Sequence, residues 1–332
     1  MKELQQDIAN KTFSPLYLLF GDERYLVRLY EGRLREAVVE PPFADMNLDV
    51  FEGRGVTAEQ IEVRAETLPF MSQRRLLIVR ESGLFAVGRK DESERIAEFF
   101  KHLSPDTVLV FVESDVDKRS KAYKSAAKNG RAVEFATPDE KTLTAWVTRL
   151  FKENGKSIAP TDAARLLRYA AFDMHAAVGE VAKLSAYVGR GAQVTTADIE
   201  AVCVKSAEVR IFELVDAVAA KNAPRALECL DNLLAAGESP LMVLVMIARQ
   251  FRIILMCKEC ADNGLGTDAT VAATGLRGFM VSAARKQGKL FDETALLNAI
   301  HDCADTDHRI KSGRVSDRLG IEMLIVKHCQ SA

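Results

Sequence analysis

Through residue 137 the chain alternates short apolar runs with stretches whose apolar positions recur at helical spacing, a pattern that predicts strand-helix-strand units and a parallel sheet. The predicted strands are Leu16 to Phe20, Leu48 to Phe51, Leu76 to Val79, Val108 to Val112 and Ala132 to Phe135. Helices are predicted over about 23–39, 57–66, 92–102 and 118–128, with Thr57 and Gln60 spaced as a capping box. Thr137-Pro138-Asp139-Glu140 closes this region, because the proline fits the first turn of a new helix and cannot continue a strand. Beyond it the pattern is helical throughout, as in Leu143, Trp146, Val147 and Leu150, and no strand-like alternation returns. Trp146 and Phe151 read as core. A bundle runs to Lys205, its last helix starting after Thr195 and Thr196, and longer helices begin at Val209. The expected division is an α/β domain over 1–137, a small helical domain over 138–207 and a larger helical domain over 208–332.

Composition adds exclusions. The 332 residues are 48% hydrophobic and 28% charged, ordinary for a globular protein. The net charge of −2 and pI near 6.3 supply no global field toward nucleic acid, so any such contact is local. The longest uninterrupted apolar run, Leu241 to Ala248, is far short of the roughly 20 residues a bilayer span needs, and no apolar stretch follows Met1 before Lys11. The expectation is a cytoplasmic protein with no membrane partner. The six cysteines lie in the second half without a regular framework, as expected of reduced thiols. Cys257 and Cys260 lie within a helical pattern and lack a second pair or a histidine at ligand spacing.

The first strand, Gly21 and the helix after it occupy the place of a phosphate-binding loop, but the residues are wrong for one. Gly21 to Val27 holds neither a second glycine nor the lysine and hydroxyl that grip phosphate and magnesium, and Asp22 and Glu23 would repel a triphosphate. Gly155-Lys156-Ser157 follows a helix rather than a strand and reads as a helix stop. No Gly-x-Ser-x-Gly elbow accompanies the scattered histidines. His301, Asp302, Asp305, Asp307 and His308 form a polar cluster in which only His301 with Asp305, or His308 with Asp305, could share a face, and it reads as a solvated surface. No catalytic residue, metal or cofactor is expected.

The segment from Glu66 to Arg75 is the unusual one. Leu68, Phe70 and Met71 fall at a helix stop, where Pro69 disfavours both helix and ladder. Packing beneath the sheet and a partner-facing wedge both satisfy this pattern. Lys118, Lys121, Lys124 and Lys128 lie in the densest basic stretch, the last three at helical spacing; a DNA or acidic-partner contact and a plain solvated face both fit. A second basic group, His308, Arg309, Lys311, Arg314 and Arg318, suits subunit contacts as well as DNA.

Leu16 to Glu23, Leu68 to Leu76 and Asp117 to Lys124 resemble the bacterial DNA polymerase III delta subunit family, as do Arg210 to Ala217, Ala248 to Arg252, and Lys311 to Arg314 with Leu319 to Leu324. The resemblance runs through essentially the whole chain in order. It implies a clamp-loader subunit: an AAA+-like five-stranded parallel sheet domain, a helical lid and a helical collar that joins a pentameric ring. It further implies no ATP hydrolysis by this chain, other clamp-loader subunits and primed DNA as partners, and the sliding clamp bound through Leu68, Pro69, Phe70 and Met71. Where some members carry adjacent Leu-Phe, this chain reads Leu68-Pro69-Phe70, so Phe70 is the firmest carry-over. A divergent NTPase of the same fold in replication or repair and a DNA-binding helical adaptor are the competing readings. Limited proteolysis is expected to cut near Pro138 and Ala207; a single indivisible core would contradict the three-part division.

Overall fold

The computed structural model describes residues 1–39, 41–189 and 193–330. It divides into two compact units, Met1–Pro138 and Asp139–Ala332. The first contains α1 (Lys2–Asn10), β1 (Leu16–Phe20), α2 (Arg24–Val38), β2 (Leu48–Glu52), α3 (Ala58–Ala65), β3 (Arg75–Arg80), α4 (Lys90–Phe99), β4 (Thr107–Glu113), α5 (Lys121–Asn129) and β5 (Arg131–Glu134). All five strands are parallel, in the order β2-β3-β4-β1-β5.

Alternation along the inner strands separates two cores. Leu16, Leu18, Phe20, Leu77, Val79, Leu109 and Phe111 pack with α3, α4 and α5, while Tyr17, Leu19, Leu76, Ile78, Val108 and Val110 pack with α1 and α2. With both faces covered, the strands read as continuous apolar runs, which is why they were legible. The Thr57–Gln60 capping box forms at the start of α3. Helix α1 has no counterpart among the predicted elements because part of its inward face is polar: buried Asp7 accepts a hydrogen bond from Tyr17 Oη at 2.9 Å, beside buried Leu4.

In the second unit come α6 (Glu140–Glu153), β6 (Ser157–Ile158), α7 (Pro160–Tyr169), α8 (Met174–Tyr187), β7 (Gln193–Val194) and α9 (Thr196–Val202). They are followed by α10 (Ala207–Ala219), α11 (Ala223–Ala235), α12 (Pro240–Asp262), α13 (Thr267–Thr274), α14 (Gly278–Gly288), α15 (Glu293–Lys311) and α16 (Asp317–Gln330). The expectation of helix alone is corrected by β6 and β7, a two-residue parallel pair too short for alternation to register. Asp139 rather than Pro138 leads into α6: its side chain caps the Thr142 amide at 2.7 Å, placing the proline outside the helix. Likewise Ser206 caps α10, which therefore starts two residues ahead of Val209. Phe151 is core, but Trp146 is only partly buried.

Helix α12 is long and apolar enough to cross a membrane by length and composition, a property the run ending at Ala248 did not reveal. Arg249 and Arg252 interrupt it mid-helix. Val243, Leu244, Ile247, Phe251, Ile254 and Cys257 are buried in the core formed by α10 to α16.

Gly21, at the exit of β1, has φ of +124°, and a Cβ there would lie 2.5 Å from the Phe135 carbonyl oxygen. Left-handed strain and a backbone clash act together, so Gly21→Ala should lower folding stability by about 2–4 kcal/mol. Calorimetric melting checks this; an unchanged Tm would contradict it.

Candidate functional site

The turn between α3 and β3 exposes its large apolar side chains: Leu68 is 75% exposed, Met71 74% and Phe70 48%. They are not core residues. Met71 has φ of +45°, and Pro69 before it has no N–H to donate, so neither ladder nor helix continues here. The Phe70 ring meets Phe43 edge-on, with centroids 5.8 Å apart.

Buried polar groups fix this turn from below. Asn47, fully buried, accepts from the Phe70 N–H at 2.7 Å and donates through Nδ2 to the carbonyls of Phe70 at 2.9 Å and Phe43 at 3.0 Å. Arg75, also buried, donates from Nε and Nη2 to Asp49 Oδ2 at 2.9 and 2.6 Å and from Nη1 to the Leu68 carbonyl at 3.4 Å. Arg64 holds the other oxygen of Asp49 at 2.6 Å. Arg74 donates to the Phe13 carbonyl at 3.1 Å and lies over the Phe13 ring. Asn47 and Asp49 escaped the sequence reading. Their only signal is a polar residue at each side of Leu48 where a strand begins.

At the opposite, carboxyl ends of the strands lies the crevice where doubly wound sheets bind ligands. Here the turn after β1 is closed by backbone: Glu23 N–H donates to the Phe135 carbonyl at 3.0 Å, and Phe135 N–H to the Phe20 carbonyl at 2.7 Å. Arg24, in the first turn of α2, forms an ion pair with Glu81 after β3, and Glu81 also accepts from Ser114. Burial works to raise the Glu81 carboxyl, but the Ser114 and Arg24 hydrogen bonds and the Arg24 charge outweigh it and hold it below the usual range. Glu113, at the end of β4, is displaced the other way by burial, although Ser82 and Gly83 donate to it.

Of the basic stretch, Lys121, Lys124 and Lys128 do share the exposed face of α5, opposite buried Ala122 and Ala126. Lys118 does not belong to that helix, because Ser120 caps it and starts it at Lys121. Lys118 pairs with Glu134 at 2.7 Å and Lys121 with Glu94 at 3.1 Å, whereas among the described residues Lys124 and Lys128 form no ion pair. In the polar cluster of α15, Asp302 meets Lys327 at 2.8 Å and His328 at 2.9 Å, and Asp307 meets Lys311 at 2.7 Å. Among the described residues no group of His, Cys, Asp and Glu could hold a metal ion. All six cysteines are free. Gly155-Lys156-Ser157 follows the end of α6, with Gly155 at φ of +68° and Lys156 bonded to the Gly189 carbonyl, the geometry of a helix stop.

A helix-flanked parallel sheet followed by a helical carboxy-terminal region defines the class, and a solved structure shares it end to end: the Bacillus subtilis DNA clamp loader delta protein matches with a TM-score of 0.80 at 27% identity, over 99% of each chain. Residues 17–136 match the family model for the DNA polymerase III delta subunit, and residues 208–328 that for its C-terminal domain. The chain is 28% identical over 321 residues to the DNA polymerase III subunit delta of Bacillus subtilis, covering 94% of this chain and 92% of that one. With the probable DNA polymerase III subunit delta of Aquifex aeolicus it shares 24% identity over 271 residues, 79% of this chain and 76% of the relative. The chain belongs to the DNA polymerase III delta subunit family.

The Glu81 ion pair generates a pH prediction. A carboxyl held below its unfolded value adds stability above that value, and the gain is lost as pH falls through the folded one. Glu81→Gln should therefore destabilise the protein near pH 7 and by progressively less toward pH 3. Melting across that range checks it; a deficit constant with pH would contradict the ion-pair account.

Proposed function

We propose that this chain serves DNA polymerase III clamp loading as the subunit that binds the sliding clamp through Leu68, Pro69, Phe70 and Met71 and helps open it, without hydrolysing ATP itself. The observation that carries the reading is the turn itself: three large apolar side chains exposed on a backbone pinned by Asn47 and Arg75. Side chains exposed in the free protein and buried on a partner are interface anchors. A wedge opens a ring only by the difference between its affinities for the open and closed forms. Burying two or three such side chains, at roughly 1.5–3 kcal/mol each, supplies several kcal/mol toward weakening one clamp interface.

The partners on this reading are the clamp, the other clamp-loader subunits of a pentameric ring, and primed DNA within the complex, with no membrane partner and a cytoplasmic location. We assign 1–137 to the AAA+-like domain, 138–207 to the lid and 208–332 to the collar. Lys124 and Lys128, with Lys118 and Lys121 nearby, form the face offered to DNA or an acidic partner. Absence of ATPase activity is supported by the turn after β1, which lacks the lysine and hydroxyl of a phosphate loop and is filled by the Phe135 backbone. Equilibrium binding of fluorescent ATP to the isolated chain is expected to give no saturable signal; micromolar affinity with hydrolysis would favour the NTPase reading.

Phe70→Ala is expected to weaken binding to the purified sliding clamp at least tenfold, and Leu68→Ala with Phe70→Ala more, while thermal stability stays nearly unchanged. Truncating a phenylalanine in a packed interior would instead cost about 3–5 kcal/mol of folding. Melting and clamp titration on the same variants separate the two outcomes, and unchanged clamp affinity would sink the assignment.

A further inference from the structure

Phe70 follows a proline and precedes a residue in the left-handed region, so nothing in its own backbone holds it in one place. Its main-chain N–H and carbonyl are both engaged by a single side chain, Asn47, at 2.7 and 2.9 Å. The same carboxamide reaches the carbonyl of Phe43, whose ring backs the Phe70 ring. The backbone of Asn47 is itself fixed, its N–H donating to the Ala44 carbonyl at 3.1 Å and its carbonyl accepting from the Leu76 N–H at 2.8 Å. Asn47 thus joins the start of β3, the Phe43 loop and the turn, and it is fully buried.

We infer that Asn47 is a positioning residue for clamp binding: it presets the main chain and ring direction of Phe70 in the free protein. The inference rests on the clamp-binding reading of the turn. A carboxamide suits the task because a neutral group of this size must accept from one N–H and donate to two carbonyls together. Aspartate keeps the acceptor but turns a second oxygen toward carbonyl oxygens, and alanine leaves all three partners without this side chain. Ordering the anchor before contact removes part of the entropic cost of association, so losing Asn47 weakens binding even though Asn47 need not touch the partner.

The test uses the full chain as wild type, Asn47→Ala, Phe70→Ala and the double variant, each titrated with purified sliding clamp and followed by amide hydrogen exchange. Expected are faster exchange at the Phe70 amide in Asn47→Ala, clamp affinity lower by about five- to twentyfold, and a double variant no weaker than Phe70→Ala alone. A general structural defect would instead lower affinity by the same factor in both backgrounds, and that result, or unchanged affinity in Asn47→Ala, overturns the proposal. Should Asn47→Ala fail to fold, Asn47→Asp carries the same comparison, since it keeps the volume and the acceptor while losing both donations. If Phe70→Ala leaves affinity unchanged with Asn47 intact, the wedge reading has failed and the positioning role falls with it. A wedge reading upheld beside an indifferent Asn47 is the separate outcome that sinks this inference alone.

Discussion

Burial of the inner strands of the parallel sheet on both faces is the constraint from which the rest of the first unit follows. With α1 and α2 on one side and α3, α4 and α5 on the other, the apolar side chains of β1, β3 and β4 are all buried. Parallel strands all run one way, so the loops segregate into those entering the strands and those leaving them. At the leaving edge, nucleotide-binding doubly wound sheets hold a ligand. Here that edge is occupied from within by the Phe135 backbone and the Arg24–Glu81–Ser114 contacts.

The candidate wedge belongs to the entering edge. Arg74 reaches the Phe13 loop that enters β1, Asn47 stands at the entry to β2, and Arg75 N–H donates to the Asp106 carbonyl just before β4 at 2.8 Å. The turn is therefore fastened to the loops entering three other strands. Its rigidity is drawn from the sheet, which already has to be rigid to fold. That allows apolar side chains to stand in solvent without the turn collapsing onto the core to bury them.

The inner strands β1, β3 and β4 were legible because their residues obey one rule throughout. Apolar runs of four or five residues between helical patterns admit few readings, and all five strands fall where expected, within a residue or so at their ends. Local backbone chemistry was legible too, as in the Thr57–Gln60 box and the stop at Gly155. Elements whose evidence is a long-range polar pair were not. Helix α1 docks partly through Asp7 on Tyr17, ten residues away, and β6 pairs with β7 across an intervening pair of helices. The apolar half of the candidate site could be seen in Leu68, Phe70 and Met71, but its exposure could not, because the same letters serve a core. What separates the two is the placement of Asn47 and Arg75 beneath the turn, and no periodicity encodes that.

An exposed apolar anchor and a well-fixed backbone ordinarily oppose each other, since side chains this large gain by folding inward. Here the opposition is resolved by giving the main chain better partners than the interior could. Both main-chain bonds of Phe70 to Asn47 coexist with a ring that meets Phe43 and stays half exposed, and the Leu68 carbonyl meets Arg75 while the Leu68 side chain is exposed. Rebuilding the turn's main chain to bury these side chains would break those bonds, which costs about 1–3 kcal/mol for each buried partner left unpaired. Burial of one such side chain returns about the same amount. The balance is close enough that the polar contacts decide it, so the exposed turn is held by the residues underneath rather than by its own apolar sequence.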